Sequence, residues 1–165
     1  MPETELTDTD LHFVRRAIAD AVANVEIGNR PFAAILVDAD GEILAEDCDR
    51  TALSGDPLSH GETNVIRTAI QKFGLGPLPA ATLYVNSEPC PMCAGTILRS
   101  GIGRLIYGAT GAIAGPYLSG GRMLGQRYPS DAIFALAGDK LQVASGVLLE
   151  EALQPFELYV AKATA

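Results

Sequence analysis

Apolar and polar positions along the chain switch repeatedly between the spacing of a helix and that of a strand. Leu11, Val14, Ile18, Ala21, Val22 and Val25 recur every three or four residues, which predicts a helix buried along one side, with Asp8, Thr9 or Asp10 as its cap. Gly28 and Pro31 end it. Phe32 to Val37 is an unbroken apolar run, the pattern of a strand covered on both faces. Asp40 and Gly41 form a hairpin turn signal, and residues 42–48 return as a second strand. Residues 49–59 read as a loop of turn formers. Ser59, with Glu62 three residues later, reads as a capping box that opens a helix buried through Val65, Ile66, Ala69 and Ile70.

Glycines and prolines at 74–79 break that helix, and residues 81–85 predict a third strand. Pro91 suits a first helical position, so the next helix is expected to start at Cys90–Pro91 and run to Arg99. Gly101 and Gly103 stop it before a fourth strand at 104–107. A glycine-rich apolar stretch from 108 to 129 is too long to be a plain connection and reads as functional. A short helix at 130–136, a fifth strand near 141–144 and a last helix over 147–161 complete the pattern.

A length of 165 residues predicts one domain spanning 1–165. A chain of this size buries roughly 70% of the surface that its unfolded form exposes, enough for a core without disulfides. Its 48% hydrophobic content argues against disorder. No apolar run approaches the roughly 20 residues of a membrane helix, and the acidic start does not resemble a signal peptide, so a cytoplasmic location without a membrane partner is expected. Twelve basic against twenty acidic residues give a net charge of −8. Phosphate-backbone binding rests on Lys and Arg, so this balance argues against a nucleic-acid partner. Arg99, Arg104, Arg122 and Arg127 are the candidates for a local basic patch, and they are scattered.

Three cysteines with one Cys-x-x-Cys read as metal or redox chemistry in a reducing compartment, not as a disulfide framework. Cys48 reads as a packed thiol in a strand. Cys90 and Cys93 share one side of a turn at a helix start, where exposed N–H groups and the helix dipole favour thiolates. With His60 they make three nitrogen and sulfur donors, the set that zinc takes in catalytic sites with a fourth position left for water. Two thiolates balance the ion's charge, so a neighbouring base is needed to activate water at neutral pH, and Glu62 is the candidate. Two residues beyond His60 it points about 200° away around an ideal helix, which suits a proton carrier and not a fellow ligand. The plainer readings are a redox pair, or a closed structural zinc in an interaction module. For the latter, the remaining donors Cys48 and His12 do not stand at zinc-finger spacing.

The order His60-x-Glu62 followed by Pro89-Cys90-x-x-Cys93 resembles the zinc-dependent cytidine deaminase superfamily. Asn29 to Ala34, Asp56-Pro57 ahead of His60, Thr82 to Tyr84, Glu88 to Cys93 and Arg104 to Gly108 resemble its branch of guanine, cytosine and tRNA adenosine deaminases. The resemblance runs from about Asn29 to Tyr107. It implies an α/β protein with a three-layer α/β/α fold around a five-stranded mixed sheet, a Zn2+ cofactor and a homodimer. It also implies hydrolytic deamination of an aminated heterocycle with release of ammonia, Glu62 carrying protons to a ring nitrogen and then to the leaving amine. A free base or related small ring leads, with a nucleoside or a tRNA adenosine as alternatives.

Substrate contacts are expected from Asp49, Phe32, Gly61 and Glu88. Asp49 occupies the position where this branch carries a base-contacting asparagine. An ionised carboxylate only accepts hydrogen bonds, so the expectation is a ring that presents an N–H there, the alternatives being a protonated Asp49 or a side chain facing solvent. Gly61 replaces the usual alanine and lets the backbone approach a substrate closely, or is neutral. Phe32 opens the strand nearest the expected substrate site and is the best pocket wall among the aromatics. The apolar segment 112–118, Phe156 and Tyr159 are expected to shape the pocket. The apolar Thr110 to Ala114 segment, where guanine deaminases carry an acidic residue, argues against guanine itself.

Overall fold

Three consecutive inner strands with two apolar faces require a layer of helices on each side, and the chain supplies them. The structure, a computed structural model, describes residues 5–118 and 129–164. In chain order the helices and strands are α1 (Asp8–Glu26), β1 (Ala33–Val37), β2 (Ile43–Cys48), α2 (Thr51–Ser54), α3 (Gly61–Phe73), β3 (Thr82–Ser87), α4 (Pro91–Ser100) and β4 (Arg104–Ala109). They continue with α5 (Gly111–Ala114), α6 (Asp131–Phe134), β5 (Gln142–Ala144), α7 (Leu149–Ala152) and α8 (Gln154–Thr164). The described residues form a five-stranded sheet in the order β2-β1-β3-β4-β5. β1 is antiparallel to β2 and to β3, while β3, β4 and β5 run parallel, which makes the expected mixed sheet.

Strand periodicity sorts the core into two layers. Leu36, Leu83, Val85, Leu105 and Tyr107 face α3 and α4, packing on Val65, Ile66, Ala69, Ala94 and Ile97. The alternate residues Ile35, Val37, Tyr84 and Ile106 face α1 and the C-terminal helices, packing on Phe13, Val14, Ala17, Ile18 and Phe156. Each fully buried aliphatic side chain contributes about 1.5–3 kcal/mol, so this double-sided burial is the main support of the fold. The backbone passes too closely for a side chain at two points: an added Cβ on Gly103 would lie 2.0 Å from the Pro79 carbonyl oxygen, and one on Gly108 would lie 2.6 Å from the Asn86 oxygen.

The topology brings several chain segments to one edge. Parallel β3 and β4 both end there, and β1 begins there because it is antiparallel to β3, with Ala34 opposite Val85. β2 ends there for the same reason, with Cys48 opposite Ala33. Phe32, Asp49, Glu88 and Thr110 therefore leave the sheet at a common rim. The rim at the carboxyl ends of parallel strands is where open α/β sheets form crevices.

Several boundaries differ from expectation for physical reasons. The α1 cap is Thr7, whose hydroxyl accepts the Asp10 N–H while the Asp10 carboxylate accepts the Thr7 N–H, so Asp10 is the far half of a capping box. Leu11 and Val22 are only half-buried, and Phe13 and Ala17 take their place in the core. The 49–59 loop contains the single turn α2. β3 runs two residues beyond the apolar pattern, because the polar Asn86 and Ser87 are buried with their hydrogen bonds made, and β4 extends alongside it, Ala109 pairing with Ser87. The last helix starts at Leu149, because Leu148 before it has φ +54, left-handed backbone that no helix includes, and it is split at Leu153 into α7 and α8. Arg122 and Arg127 lie outside the described residues. Arg104 is engaged elsewhere and is not part of a basic patch.

Arg104 reaches from β4 to Asp10, which is 1% exposed and also accepts from the Tyr84 hydroxyl at 2.8 Å. Burial alone pushes the Asp10 carboxyl up, but Arg104, Thr7 and Tyr84 together outweigh it and hold it at about 2. A carboxyl with a depressed folded-state pKa stabilises the fold above its unfolded value of 3.8, and that contribution is lost as pH falls toward 2. It amounts to about 2 kcal/mol. Asp10→Asn is therefore expected to lower stability at pH 7 by about 2–4 kcal/mol, since it strands the Arg104 cation. Urea melts between pH 7 and pH 2 should show a steeper acid loss for wild type than for the variant.

Candidate metal centre

His60 and Cys90 take equivalent places in the structure, each the residue just before the first turn of its helix. His60, the cap of α3, has extended backbone with φ −81 and ψ 151, and makes no side-chain cap bond. Cys90, the cap of α4, has φ −65 and ψ 166, with Pro91 in the first turn as expected. Ser59 is thus not the cap and forms no capping box with Glu62. Its hydroxyl pairs with Asn64 instead, which leaves the imidazole of His60 free to turn toward the cysteines. Thr63 secures the turn by donating to the Leu58 and His60 carbonyls.

Among the described residues, His60, Cys90 and Cys93 form the cluster whose ligating atoms all lie within 4.8 Å of one another. His60 Nδ1 is 3.7 Å from Cys90 Sγ and 3.5 Å from Cys93 Sγ. Tetrahedral zinc with Zn–S of about 2.3 Å and Zn–N of about 2.0–2.1 Å requires a nitrogen–sulfur separation of roughly 3.6 Å, so the donor set fits the ion. Two helix N-termini, α3 and α4, direct their positive ends at the same spot, which favours anionic sulfur there. Without an ion the two thiols share their protons unequally. A hydrogen bond from Cys93, then His60, hold the Cys90 thiol down at about 4, while the bond to Cys90 and burial push Cys93 far up. The bond to Cys90 also raises His60.

Glu62 is buried beside this cluster, next to Cys93. Burial first, and the Cys90 sulfur second, raise its carboxyl to about 7. The helical-wheel argument does not apply to the pair, because His60 stands outside α3 in extended backbone. The two side chains can therefore face the same space although they are two residues apart. Glu62 is not within the ligand cluster, consistent with a carboxyl that serves the site without binding its ion.

The structure places the other expected contact residues at the same rim but gives them different tasks. Asp49 is completely buried, which overturns the reading of a side chain facing solvent. Its Oδ1 accepts from the Thr51 N–H and hydroxyl, at 3.0 and 2.6 Å. Phe32 is half-buried, with Phe156 edge-on at 5.6 Å and the Arg30 guanidinium 5.5 Å from its ring centre. Phe156 itself is fully buried in the core behind Phe32, so it supports that wall from within its own chain. Gly61 faces the sheet: a Cβ there would meet the Asp47 oxygen at 3.2 Å and the Ala34 nitrogen at 3.3 Å, so the close approach is to β1 and β2 and not to a substrate. Glu88 is spent on backbone, accepting the Gly111 N–H at 2.7 Å and the Ser130 N–H at 2.9 Å. Cys48 is held off from the cluster in β2, its thiol pushed up to about 12 by burial.

Two residues that sequence reasoning did not single out fix the rim. Asn86 accepts the Ala33 N–H and donates to the Pro31 carbonyl, tying the start of β1 to the end of β3. Ser130 is fully buried and donates to the Pro89 carbonyl, next to Cys90. A polar residue inside an apolar strand was the available signal for Asn86. Ser130 carried none.

Residues 7–109 match the family described as the cytidine and deoxycytidylate deaminase zinc-binding region. The chain is 40% identical over 115 residues to a tRNA-specific adenosine deaminase of Agrobacterium fabrum, covering 70% of this chain and 75% of that one. It is 38% identical to the solved guanine deaminase of Bacillus subtilis, with a TM-score of 0.55 over 59% of this chain and 62% of that one. A guanine deaminase from Nitrosomonas europaea matches 98% of this chain and 88% of its own, with a TM-score of 0.75 at 19% identity, a likeness of fold.

Because Cys93 holds its proton tightly and metal binding must displace it, zinc affinity is expected to fall as pH drops, about tenfold per pH unit for each proton displaced. Competition with a chromophoric chelator between pH 8 and pH 6 measures this. Cys90→Ser should lose most of its zinc, whereas Glu62→Ala should retain one ion per chain by elemental analysis.

Proposed function

The chain belongs to the cytidine and deoxycytidylate deaminase family, and within it we propose a hydrolase that removes the exocyclic amine of a free nucleobase or related small aminated heterocycle. The observation that carries this reading is the buried Glu62 carboxyl set against the cluster of His60, Cys90 and Cys93. Those three residues would hold the zinc, which when bound supplies Lewis-acid activation of a water molecule. Glu62 takes a proton from that water, delivers it to a ring nitrogen, and later protonates the departing amine. The ring carbon exchanges its amine for the water's oxygen, and ammonia leaves. A carboxyl near 7 suits this work, since it can hold and release a proton at neutral pH, although the charge of a bound ion pulls it down again.

Around that centre, Phe32 serves as an apolar wall for a planar ring. Glu88 acts through the backbone, fixing Gly111 and Ser130 on either side of the rim. A small uncharged substrate agrees with the net charge of −8. Among the described residues, five basic side chains are paired with carboxylates, which further reduces the positive charge free to meet a phosphate backbone.

The 40% identity to a tRNA-specific adenosine deaminase favours a second reading, an adenosine in a tRNA loop. One experiment separates the two. Zinc-loaded protein is offered cytosine, guanine, other aminated bases, their nucleosides and total tRNA, with ammonia release and inosine content as readouts. Turnover of at least one free base is expected, with Glu62→Ala at least about 10³-fold slower at unchanged zinc content. Inosine in tRNA with no ammonia from any free ring would support the second reading instead. No ammonia from any of these would overturn the deaminase assignment.

A further inference from the structure

His60 reaches the cysteines from a short turn that lies outside every helix and strand. Its backbone is extended, and its imidazole makes no cap bond that would fix it locally. The direction from which Nδ1 meets the two sulfurs therefore depends on how firmly residues 58–60 are held.

That turn is closed first by the His60 N–H, which donates to the Leu58 carbonyl at 2.9 Å. Thr63, buried in the first turn of α3, reaches back to the same place. Its hydroxyl lies 2.7 Å from the Leu58 carbonyl oxygen and 2.9 Å from that of His60, so one proton is shared between the carbonyls on either side of Ser59. Asn64, the next residue, is half-buried, and its amide nitrogen lies 3.2 Å from the Ser59 hydroxyl and 3.3 Å from the Cys48 carbonyl at the end of β2. The Arg50 N–H adds a further tie, donating to the Ser59 carbonyl at 2.9 Å. The residues leading into the imidazole are thus bound both to the helix that follows them and to the strand end beside them.

The helix itself gains little from this pair. Threonine and asparagine are among the weaker helix formers, the first through its branched side chain and the second because its amide competes with the backbone. Here each spends its polar group on a residue five positions back, ahead of α3. The bonds they make act on the approach to His60.

We propose that Thr63 and Asn64 are positioning residues for the metal, a clamp that holds His60 in the pose an ion requires. The separations of 3.5 and 3.7 Å between His60 Nδ1 and the two sulfurs suit tetrahedral zinc only while the His60 main chain stays where the clamp keeps it. A ligand held in advance loses less freedom when the ion binds, and groups that orient metal ligands typically contribute about 10–100-fold in affinity. This inference rests on the reading of His60, Cys90 and Cys93 as the zinc ligands and is independent of the substrate.

Thr63→Val removes the hydroxyl and keeps the shape, whereas Thr63→Ser keeps the hydroxyl and drops the methyl group. Wild type and both variants are freed of metal, then titrated with Zn2+ against a chromophoric chelator and with Co2+ for its absorption spectrum. Thr63→Val is expected to bind zinc at least about tenfold more weakly. Its cobalt d–d bands, which report the geometry of the whole ligand set, should shift while the sulfur-to-cobalt charge-transfer band of the two thiolates persists. Thr63→Ser should restore both. A merely structural role lowers the Tm of Thr63→Val but leaves the d–d bands of the folded protein as in wild type. Unchanged d–d bands or unchanged zinc affinity in Thr63→Val overturn the proposal and leave the zinc site standing, as does a loss that Thr63→Ser fails to reverse. If Thr63→Val does not fold, Asn64→Ala is judged by the same two measurements, a shift with weaker binding sustaining the clamp and the wild-type result overturning it. Wild type that binds neither ion refutes the zinc reading, and the proposal falls with it.

Discussion

Two thiols, an imidazole and a carboxyl packed together, Cys93 and Glu62 buried and His60 and Cys90 half-buried, are an unfavourable group unless a cation joins them. Taken alone they settle on opposed charge states: burial raises Glu62 and the bond to Cys90 raises Cys93, while their neighbours hold Cys90 down and raise His60. A divalent ion reverses the balance, because it favours both thiolates and stabilises the nearby carboxylate. The family to which the chain belongs is a zinc-binding one, and the nitrogen–sulfur separations match what zinc requires. The rest of the fold can be understood as what is needed to bring those four side chains within one ion's reach.

That task is met by strand direction. Because β1 runs against β3 while β4 runs with it, residues from four separate stretches of sequence come off the sheet at one rim. Gly61 lets α3 lie directly on the β1–β2 hairpin, so His60 arrives at that rim from above the sheet, while Cys90 arrives along the end of β3. Two helix N-termini then meet at the cluster. Neither the hairpin nor the helices alone would form the site. It exists only once long-range strand pairing is complete, so any change that slips the register of β1 removes it.

The layers, the strand order of burial and the ligand trio were all legible in the sequence, since each has a local signature. Apolar runs marked the strands covered on both faces, and Cys90-x-x-Cys93 after Pro89 marked a helix start with converging sulfurs. The misreadings share one cause, that a side chain's tertiary partner decided its role. Ser59 has the sequence of a cap, but His60 sits in the cap position because its ring is directed at the cysteines. Asp10 looked like one of three possible caps, whereas its main partners, Arg104 and Tyr84, lie more than seventy residues away. Gly61 looked like room for a substrate until the strands filled the space beside it. No pattern in the sequence could expose Ser130, because its importance depends on the Pro89 carbonyl it meets.

The polar residues at the rim divide into those that can reach a substrate and those that hold the rim still, and the second group explains the precision of the first. Asn86 locks the start of β1 to β3, Glu88 holds the chain after β4 and the chain before α6 in one grip, and Ser130 closes on the residue next to Cys90. Buried polar groups are costly unless satisfied, and these are satisfied by backbone, a partner that cannot swing away as a side chain can. A site whose reacting atoms must be placed within a fraction of an ångström gains from such anchors. It follows that Glu88, though beside the metal motif in sequence, acts on the chemistry through the positions of Gly111 and Ser130. Asp49 and Asn29 are the side chains there that each keep a buried oxygen without a partner among the described residues.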